Sequence, residues 1–370
     1  MAGVYVHIPF CARRCIYCGF FSTVRQEEAV RYVSALCREL ELRRDYLEGE
    51  PVRTVYFGGG TPSRLTPHQI GTVISAIRST LGLDALEELT VECNPDDITP
   101  EYVSALKSVG VNRISMGVQT FNDSLLKFMR RRHTAAQALQ AVKTCRDSGI
   151  GNISIDLMYG LPGQTLEMFG ADLQNALSAG VQHISSYCLS YEEGTPLHAL
   201  KEQGKLQSAD DELCSQMFTL MCQTLRQGGF EHYEISNFCR PGFHSRHNSS
   251  YWDGTPYLGL GAAAHSYNQT SRQWSPENLD TYLTAIENGA PSFQKETLSE
   301  QDRFNEKVML SLRTSQGLNL HTLPNSDCQY LLAQAAPYIK SGNIIKNGST
   351  IYLPEHSMFI SDTIISALFK

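Results

Sequence analysis

The sequence predicts an α/β fold of six parallel β/α units, followed by a small α+β module with the element order of a winged helix. Three observations carry this. Short β-branched runs alternate with helical patterns through the first half of the chain. The residues that packing explains least fall at the C-terminal ends of the predicted strands. After about residue 235 the alternation stops and the composition changes. Six such units curl into a partial, TIM-like barrel or lie flat as a doubly wound sheet, and both arrangements put ligands at the strand C-termini.

The predicted strands are Val4–Ile8, Val52–Phe57, Leu89–Cys93, Arg113–Val118, Asn152–Leu157 and Gln182–Leu189. Between the first two, Val30, Val33, Leu36, Cys37 and Leu40 recur at helical spacing and predict one apolar stripe. Thr66-Pro67 and Thr99-Pro100 each place a capping hydroxyl before a proline suited to the first helical position. Gly110, Gly149 and Gly180 stand where helices should end. Residues 1–235 form the expected core. Residues 236–290 read as an extension rich in Gly, His, Ser and aromatics with little periodicity, and 291–370 as the small module. In that module Gln301–Leu312 and Cys328–Ser341 read as helices, and Asn343–Leu353 as a strand pair.

Composition narrows the function. The 370 residues are 42% hydrophobic and 19% charged, with a formal net charge of −7. That balance argues against a nucleic-acid or anionic-membrane binder, which needs clustered Lys and Arg. The one basic run, Arg130–Arg132, is short and reads as a solvated helix end, Arg131 being considered separately below. No leader pattern and no apolar run of the ~20 residues that span a bilayer are visible, so the chain reads as cytoplasmic. In that compartment eleven cysteines are not a disulfide framework. Eight are scattered among apolar neighbours and read as buried small hydrophobes.

The other three, Cys11-x3-Cys15-x2-Cys18, follow the first strand directly. Such closely spaced thiolates hold iron–sulfur clusters, and three of them on a four-iron cubane leave one iron open to a ligand. The rival is a Cys3His zinc site that uses His7, although the usual paired zinc knuckles are absent.

This spacing, with Tyr17 before the last cysteine, resembles the signature of the radical S-adenosylmethionine (SAM) superfamily. The resemblance implies a [4Fe–4S] cluster on Cys11, Cys15 and Cys18, with the amino and carboxylate groups of SAM on its open iron. Longer motifs extend the likeness over nearly the whole chain. They are Tyr5–Cys11, Gly58–Pro62, Glu92–Pro95, Gly117–Phe121, Asp156–Gly163, Tyr233–Asn237 and Gly259–Ser266. Together they resemble the family of HemN, the oxygen-independent coproporphyrinogen III dehydrogenase, and its relatives the HemW haem chaperones. The family implies a partial (β/α)6 radical SAM barrel and a HemN-type C-terminal α+β module. It also implies SAM contacts from Tyr5, Tyr17, Gly59, Gly60, Thr61, Glu92, Gln119, Arg131 and Asp156. Gly59 and Gly60 can alternatively be explained as a tight turn. The Gly259-x-Gly261-x-x-Ala264 run opens no βαβ unit and is not read as a dinucleotide site.

Two positions separate the family branches. HemN-type enzymes carry a fourth cysteine where this chain has Phe20, which disfavours coproporphyrinogen oxidation. His247-Asn-Ser-Ser-Tyr251-Trp252 matches the HNxxYW motif of the chaperones, implying haem at His247 with Tyr251 and Trp252 beside it. A packed histidine is the plainer reading, and His244 or His265 are other candidates. The chaperone branch implies haem as cargo, recipient apo-haemoproteins, a donor such as a bacterioferritin, and membrane association only through partners. Monomer and dimer remain equally open, and the alternative function is radical chemistry on a porphyrin.

Overall fold

Six parallel strands follow one another in space in the order of the chain. They are β1 (Ala2–Ile8), β2 (Val52–Gly59), β3 (Glu88–Cys93), β4 (Arg113–Gln119), β5 (Asn152–Tyr159) and β6 (His183–Cys188). The computed structural model describes residues 1–370. An unreversed order decides between the two sheet types. Right-handed crossovers place every intervening helix on one face, so the opposite face has to be enclosed by curling. A doubly wound sheet requires a reversal in strand order, and none occurs among β1–β6.

Each predicted strand forms within one or two residues of its expected limits. Alternate positions face the helices and supply the core: Val4, Val6 and Ile8 on β1, Leu89 and Val91 on β3, Ile114 and Met116 on β4. The intervening positions are polar: Thr54 and Tyr56 on β2, Glu88, Thr90 and Glu92 on β3, Arg113 and Ser115 on β4. The first long helix, Ala29–Leu42, buries Ala29, Tyr32, Val33, Leu36 and Leu40. Val30 is exposed, so the stripe turns away from the one predicted, because Tyr32 rather than Val30 fills the seam. Thr66 and Thr99 cap their helices as expected, and Gly180 ends Leu166–Ala179 in the left-handed region.

The segment expected to stand apart at 236–290 is part of the same sheet. Strand β8 (Asn237–Cys239) adds antiparallel to β6, and β7 (Glu231–Glu234) lies antiparallel to β8 at the edge. At the other edge, β9 (Tyr257–Leu260) lies parallel to β1, and β10 (His265–Tyr267), β11 (Ser271–Trp274) and β12 (Gln294–Thr297) continue it. Strands of three or four residues are too short to show alternation, which explains why the sequence showed none. Gly259 in β9 has its hypothetical Cβ position only 1.9 Å from the carbonyl oxygen of His265. Close packing therefore requires this glycine, and no dinucleotide does.

The C-terminal module starts after β12, later than residue 291. It contains helix Glu300–Leu312, strand β13 (Leu318–Asn319), helix Asn325–Ser341 and the hairpin β14 (Ile345–Asn347) with β15 (Thr350–Tyr352). The strand order β13-β15-β14 and the helix order are those of a winged helix. Val308, Leu312, Leu331 and Ile351 join the same continuous apolar core as the barrel helices. No helix is long and apolar enough to cross a membrane.

A buried ion pair ties β9–β11 to the first helix. Glu39 and Arg43, with side chains 1% and 4% exposed, approach at 3.1 Å. Arg43 also donates to Gly259 O, Ser266 Oγ and Gln273 Oε1, while Glu39 accepts from Gly261 N–H and Tyr282 O–H. Removing one partner strands the other charge in the core, which typically costs about 3–5 kcal/mol. Glu39→Ala should therefore lower stability to urea by that amount. Arg31→Ala, which breaks the exposed pair with Glu287, should leave the urea midpoint nearly unchanged.

Candidate cofactor site

The C-terminal ends of β1–β6 open into a cavity of about 670 Å³. Cys11, Cys15 and Cys18 line one side, on the loop that leaves β1. That loop is anchored at both ends. Cys11 N–H donates to Thr23 O at 2.8 Å, and Thr23 N–H to Pro9 O at 2.7 Å. Ile16, between the cysteines, packs into a satellite apolar cluster with Leu125, Leu126, Met129, Met158 and Leu197. The thiols are thus presented on a pinned loop, with Cys11 Sγ 3.4 Å from Thr61 Oγ1 and Cys15 Sγ 3.5 Å from Arg131 Nη1. Burial pushes the Cys11 and Cys18 thiols up, so their thiolates need a nearby cation, which a metal supplies.

Opposite the thiols stand the polar residues of the strand ends. Arg131 donates through Nη2 to Asn94 Oδ1 and Gly117 O, and its buried Nε has no partner. It is therefore a placed cation with a donor to spare. The basic run is not a solvated helix end: Arg132 pairs with Asp96 and Asp97 at 3.1 and 3.0 Å. Glu92 accepts from Tyr56 O–H at 2.8 Å and Gly59 N–H at 3.2 Å. Burial, and secondarily the nearby Asp156, raise its carboxyl to about 7. Asp156 rises to about 6, mainly through burial, although Ser185 and Ser115 hydrogen-bond to it. Gln119 lines the cavity from a bulge at the end of β4, with φ of 72°. Asp172 pins the following turn by accepting from Thr120 O–H at 2.7 Å and Phe121 N–H at 2.6 Å.

The Gly59–Thr61 turn reaches the cavity too, but its glycines also serve packing. Gly59, at φ 111°, has its hypothetical Cβ 2.5 Å from the His7 ring, and that of Gly60 lies 2.7 Å from Pro9 O. Gly60 N–H donates to Ile8 O at 2.9 Å, so both amides are already engaged within the protein. The turn can offer a ligand its carbonyls and the Thr61 hydroxyl, and not these amides. His7, the fourth ligand of the zinc alternative, is buried with Nδ1 3.1 Å from Tyr5 Oη and Nε2 3.0 Å from Phe21 O.

The cavity thus gathers Cys11, Cys15, Tyr17, Cys18, Gly59, Gly60, Thr61, Glu92, Gln119, Arg131 and Asp156. Tyr5 lies beneath it, stacked on Tyr56 at 6.2 Å. His247, Tyr251 and Trp252 are not on the cavity wall. They occupy the helix Arg246–Trp252, whose first amides, of Arg246 and His247, donate to Glu88 at 2.8 and 3.1 Å. His247 is fully buried, with Nδ1 2.8 Å from Thr54 Oγ1 and Nε2 2.9 Å from Tyr251 Oη. Its ring stacks on Tyr56 at 5.0 Å, and burial lowers its pKa to about 3. His265, by contrast, is exposed and stacks on Trp274 at 5.9 Å. Phe20 and Tyr187 stand exposed at the cavity mouth.

Sequence reasoning placed Asn94 at the end of the third strand, where it lines the cavity, but missed the roles of Tyr56 and Asp172. Asp172 sits within a helix and carries no local signal, since its partners are 52 and 51 residues away.

Residues 5–176 match the model of the radical SAM superfamily. The haem chaperone HemW of Lactococcus lactis is 38% identical over 87% of this chain and 84% of its own length. The HemW of Bacillus subtilis is 36% identical over 86% of this chain and 85% of its own. The mitochondrial radical SAM domain-containing protein 1 of Bos taurus is 35% identical over 86% and 74%. Among solved structures, the coproporphyrinogen III oxidase HemN of Escherichia coli superposes with a TM-score of 0.86 at 24% identity, covering 100% of this chain and 90% of that one. That likeness establishes the shared fold.

The raised Glu92 carboxyl has a consequence for stability. Its folded value of about 7 lies above the ordinary 4.5, so the folded state binds the proton more tightly than the unfolded chain. The contribution is fully present below pH 4.5 and is lost as pH rises toward 7. Glu92→Gln should flatten that part of the stability–pH curve, removing up to a few kcal/mol of slope at about 1.4 kcal/mol per unit. Urea unfolding from pH 4.5 to 7.5 measures this, and an unchanged slope would contradict it.

Proposed function

The chain belongs to the HemW family of the radical SAM superfamily, and from that premise we propose that it is a haem chaperone that carries a [4Fe–4S] cluster and SAM. The observation that carries the proposal is the convergence of Cys11, Cys15 and Cys18 with the unpartnered Nε of Arg131 and the half-buried carboxyls of Glu92 and Asp156 on one cavity. The three cysteines hold the cluster. Arg131, held in place by Asn94 and Gly117, offers its free Nε–H to a ligand carboxylate as a charge-assisted hydrogen bond. Glu92 and Asp156 face the sulfonium and ribose hydroxyls, Gln119, Thr61, Tyr17 and the Gly59–Gly60 carbonyls complete the enclosure, and Tyr5 supports Tyr56 from beneath. When bound, the cluster and SAM supply one-electron reductive chemistry at the sulfonium. The protein places them and limits water.

Haem is the cargo, as in the names of the bacterial relatives, and its delivery is to apo-haemoproteins in the cytoplasm or at the membrane surface. His247 is the proposed iron ligand, with Tyr251 and Trp252 against the porphyrin. Its ring must first leave Thr54, which an outward swing of the helix Arg246–Trp252 achieves, and the Tyr251 hydroxyl, which rides on the same helix and is released by rotation of the Tyr251 side chain. A second reading assigns the iron to His265, favoured by its exposed ring beside Trp274. Phe20, exposed where the oxidases carry a cysteine, supports carriage of haem over oxidation of coproporphyrinogen.

Anaerobically purified protein should contain about four iron and four sulfide per chain. The Cys15→Ala, Cys18→Ala double variant should contain neither, and zinc in place of iron would refute the cluster.

Haem titration followed by absorbance should give a Soret band that is lost in His247→Ala. Retention there with loss in His265→Ala transfers the ligand role to His265. Consumption of coproporphyrinogen III by the reduced wild type would overturn the chaperone assignment.

A further inference from the structure

Far from the cavity, three Lewis-basic side chains from three separate elements converge. Cys222 comes from the helix Asp211–Gln227, His232 from β7, and Glu355 from the short helix Glu355–Met358 of the C-terminal module. Their ligand atoms lie within 4.8 Å of one another. His232 Nδ1 is 3.3 Å from Glu355 Oε1 and 3.9 Å from Cys222 Sγ.

The hydrogen-bond roles around His232 are determined by its other nitrogen. Nε2 lies 3.4 Å from Ile235 O, which can only accept, so Nε2 carries the proton and Nδ1 presents a lone pair. That lone pair faces a carboxylate oxygen and a sulfur. Three acceptor atoms then share a single proton, that of the Cys222 thiol. A protonated imidazolium paired with Glu355 is the simpler explanation, but the His232 side chain is only 7% exposed, and that pairing does not account for Cys222 Sγ at 3.9 Å on the same nitrogen. The ring is also held in place, stacked on Phe238 at 4.1 Å and 12° with Phe218 at its edge. Arg226 engages Glu355 Oε2 and leaves Oε1 directed at the cluster. This is the outer support that a ligating carboxylate ordinarily has.

We propose that Cys222, His232 and Glu355 form a site for a zinc-class divalent cation that joins the C-terminal module to the barrel. The donor set of one thiolate, one imidazole and one carboxylate suits zinc, and tetrahedral zinc places N and O ligands about 3.3 Å apart and S and N about 3.6 Å apart. The observed 3.3 Å N···O separation already fits, while Cys222 Sγ, 3.9 Å from Nδ1 and within 4.8 Å of the carboxylate oxygen, has to move inward. Binding forms three metal–ligand bonds and releases the Cys222 proton to solvent. The fourth position is left to water. No spacing in the sequence marks the site, since Glu355 lies 123 residues beyond His232.

The test uses the full chain with Cys11, Cys15 and Cys18 changed to serine, so that no metal–thiolate signal arises from the cluster loop. Anaerobic Co²⁺ titration of metal-stripped protein should give one equivalent with a thiolate charge-transfer band, displaced by Zn²⁺. Cys222→Ser should abolish the band, and Glu355→Gln should raise the Kd by about tenfold or more. No band, or a band that persists unchanged in Cys222→Ser, overturns the proposal. So does a band lost instead in Cys239→Ser, which would place the metal at the neighbouring group Glu231, Cys239 and His244. If Cys222→Ser does not fold, Glu355→Gln decides alone, and an unchanged Kd in that variant overturns the site.

Discussion

The cysteine loop is seated on the end of β2 through backbone contact at Gly60, whose amide meets Ile8 O at 2.9 Å and whose missing side chain leaves room for Pro9 O. Everything at the cavity depends on this contact. It fixes where the chain leaves β1 and therefore where Cys11 stands relative to Thr61. Gly59 extends the same constraint, since its own amide reaches Glu92 and its open face admits the His7 ring. A side chain at either glycine would separate the thiols from the polar wall that faces them.

That polar wall follows from the curl of the sheet. Parallel strands in unreversed order leave one face without helices, and its alternate positions converge as the sheet closes. Here they carry Tyr5, Thr54, Tyr56, Glu88, Glu92, Arg113 and Asp156. Burying such groups is costly unless each finds a partner. Most have one: Tyr56 pairs with Glu92, His247 with Thr54 and Tyr251, and Glu88 with the amides of the helix Arg246–Trp252, whereas Arg113 keeps Nε and Nη1 unpartnered. The short helix with His247 therefore closes the end of the barrel opposite the cysteines.

The two ends of the chain are joined by burial as much as by the sheet. Glu39 and Arg43 fasten β9–β11 to the first helix, and the apolar faces of Val308, Leu331 and Ile351 continue the barrel's core into the winged-helix module. Cys222, His232 and Glu355 lie at that same junction. The module is thus a packed part of the body.

Local signals were enough for much of this protein. The six strands, the capped helices at Thr66 and Thr99, and the thiol cluster each rest on residues near one another in the chain, where period, capping and spacing act. The convergence of the strand ends was legible for the same reason, because parallel β/α units always bring those ends together. Other features rest on distance. Val30 faces solvent because Tyr32 fills the seam, and β7–β12 are too short to announce themselves. Asp172 meets its partners only through the packing of its helix, and Cys222, a scattered cysteine by sequence, meets His232 and Glu355 only when the module docks. His247 shows the division most plainly. Its motif could be read from neighbouring residues, whereas its full burial against Thr54 and Tyr56 is a property of the closed barrel, in which partners nearly 200 residues apart share one interior.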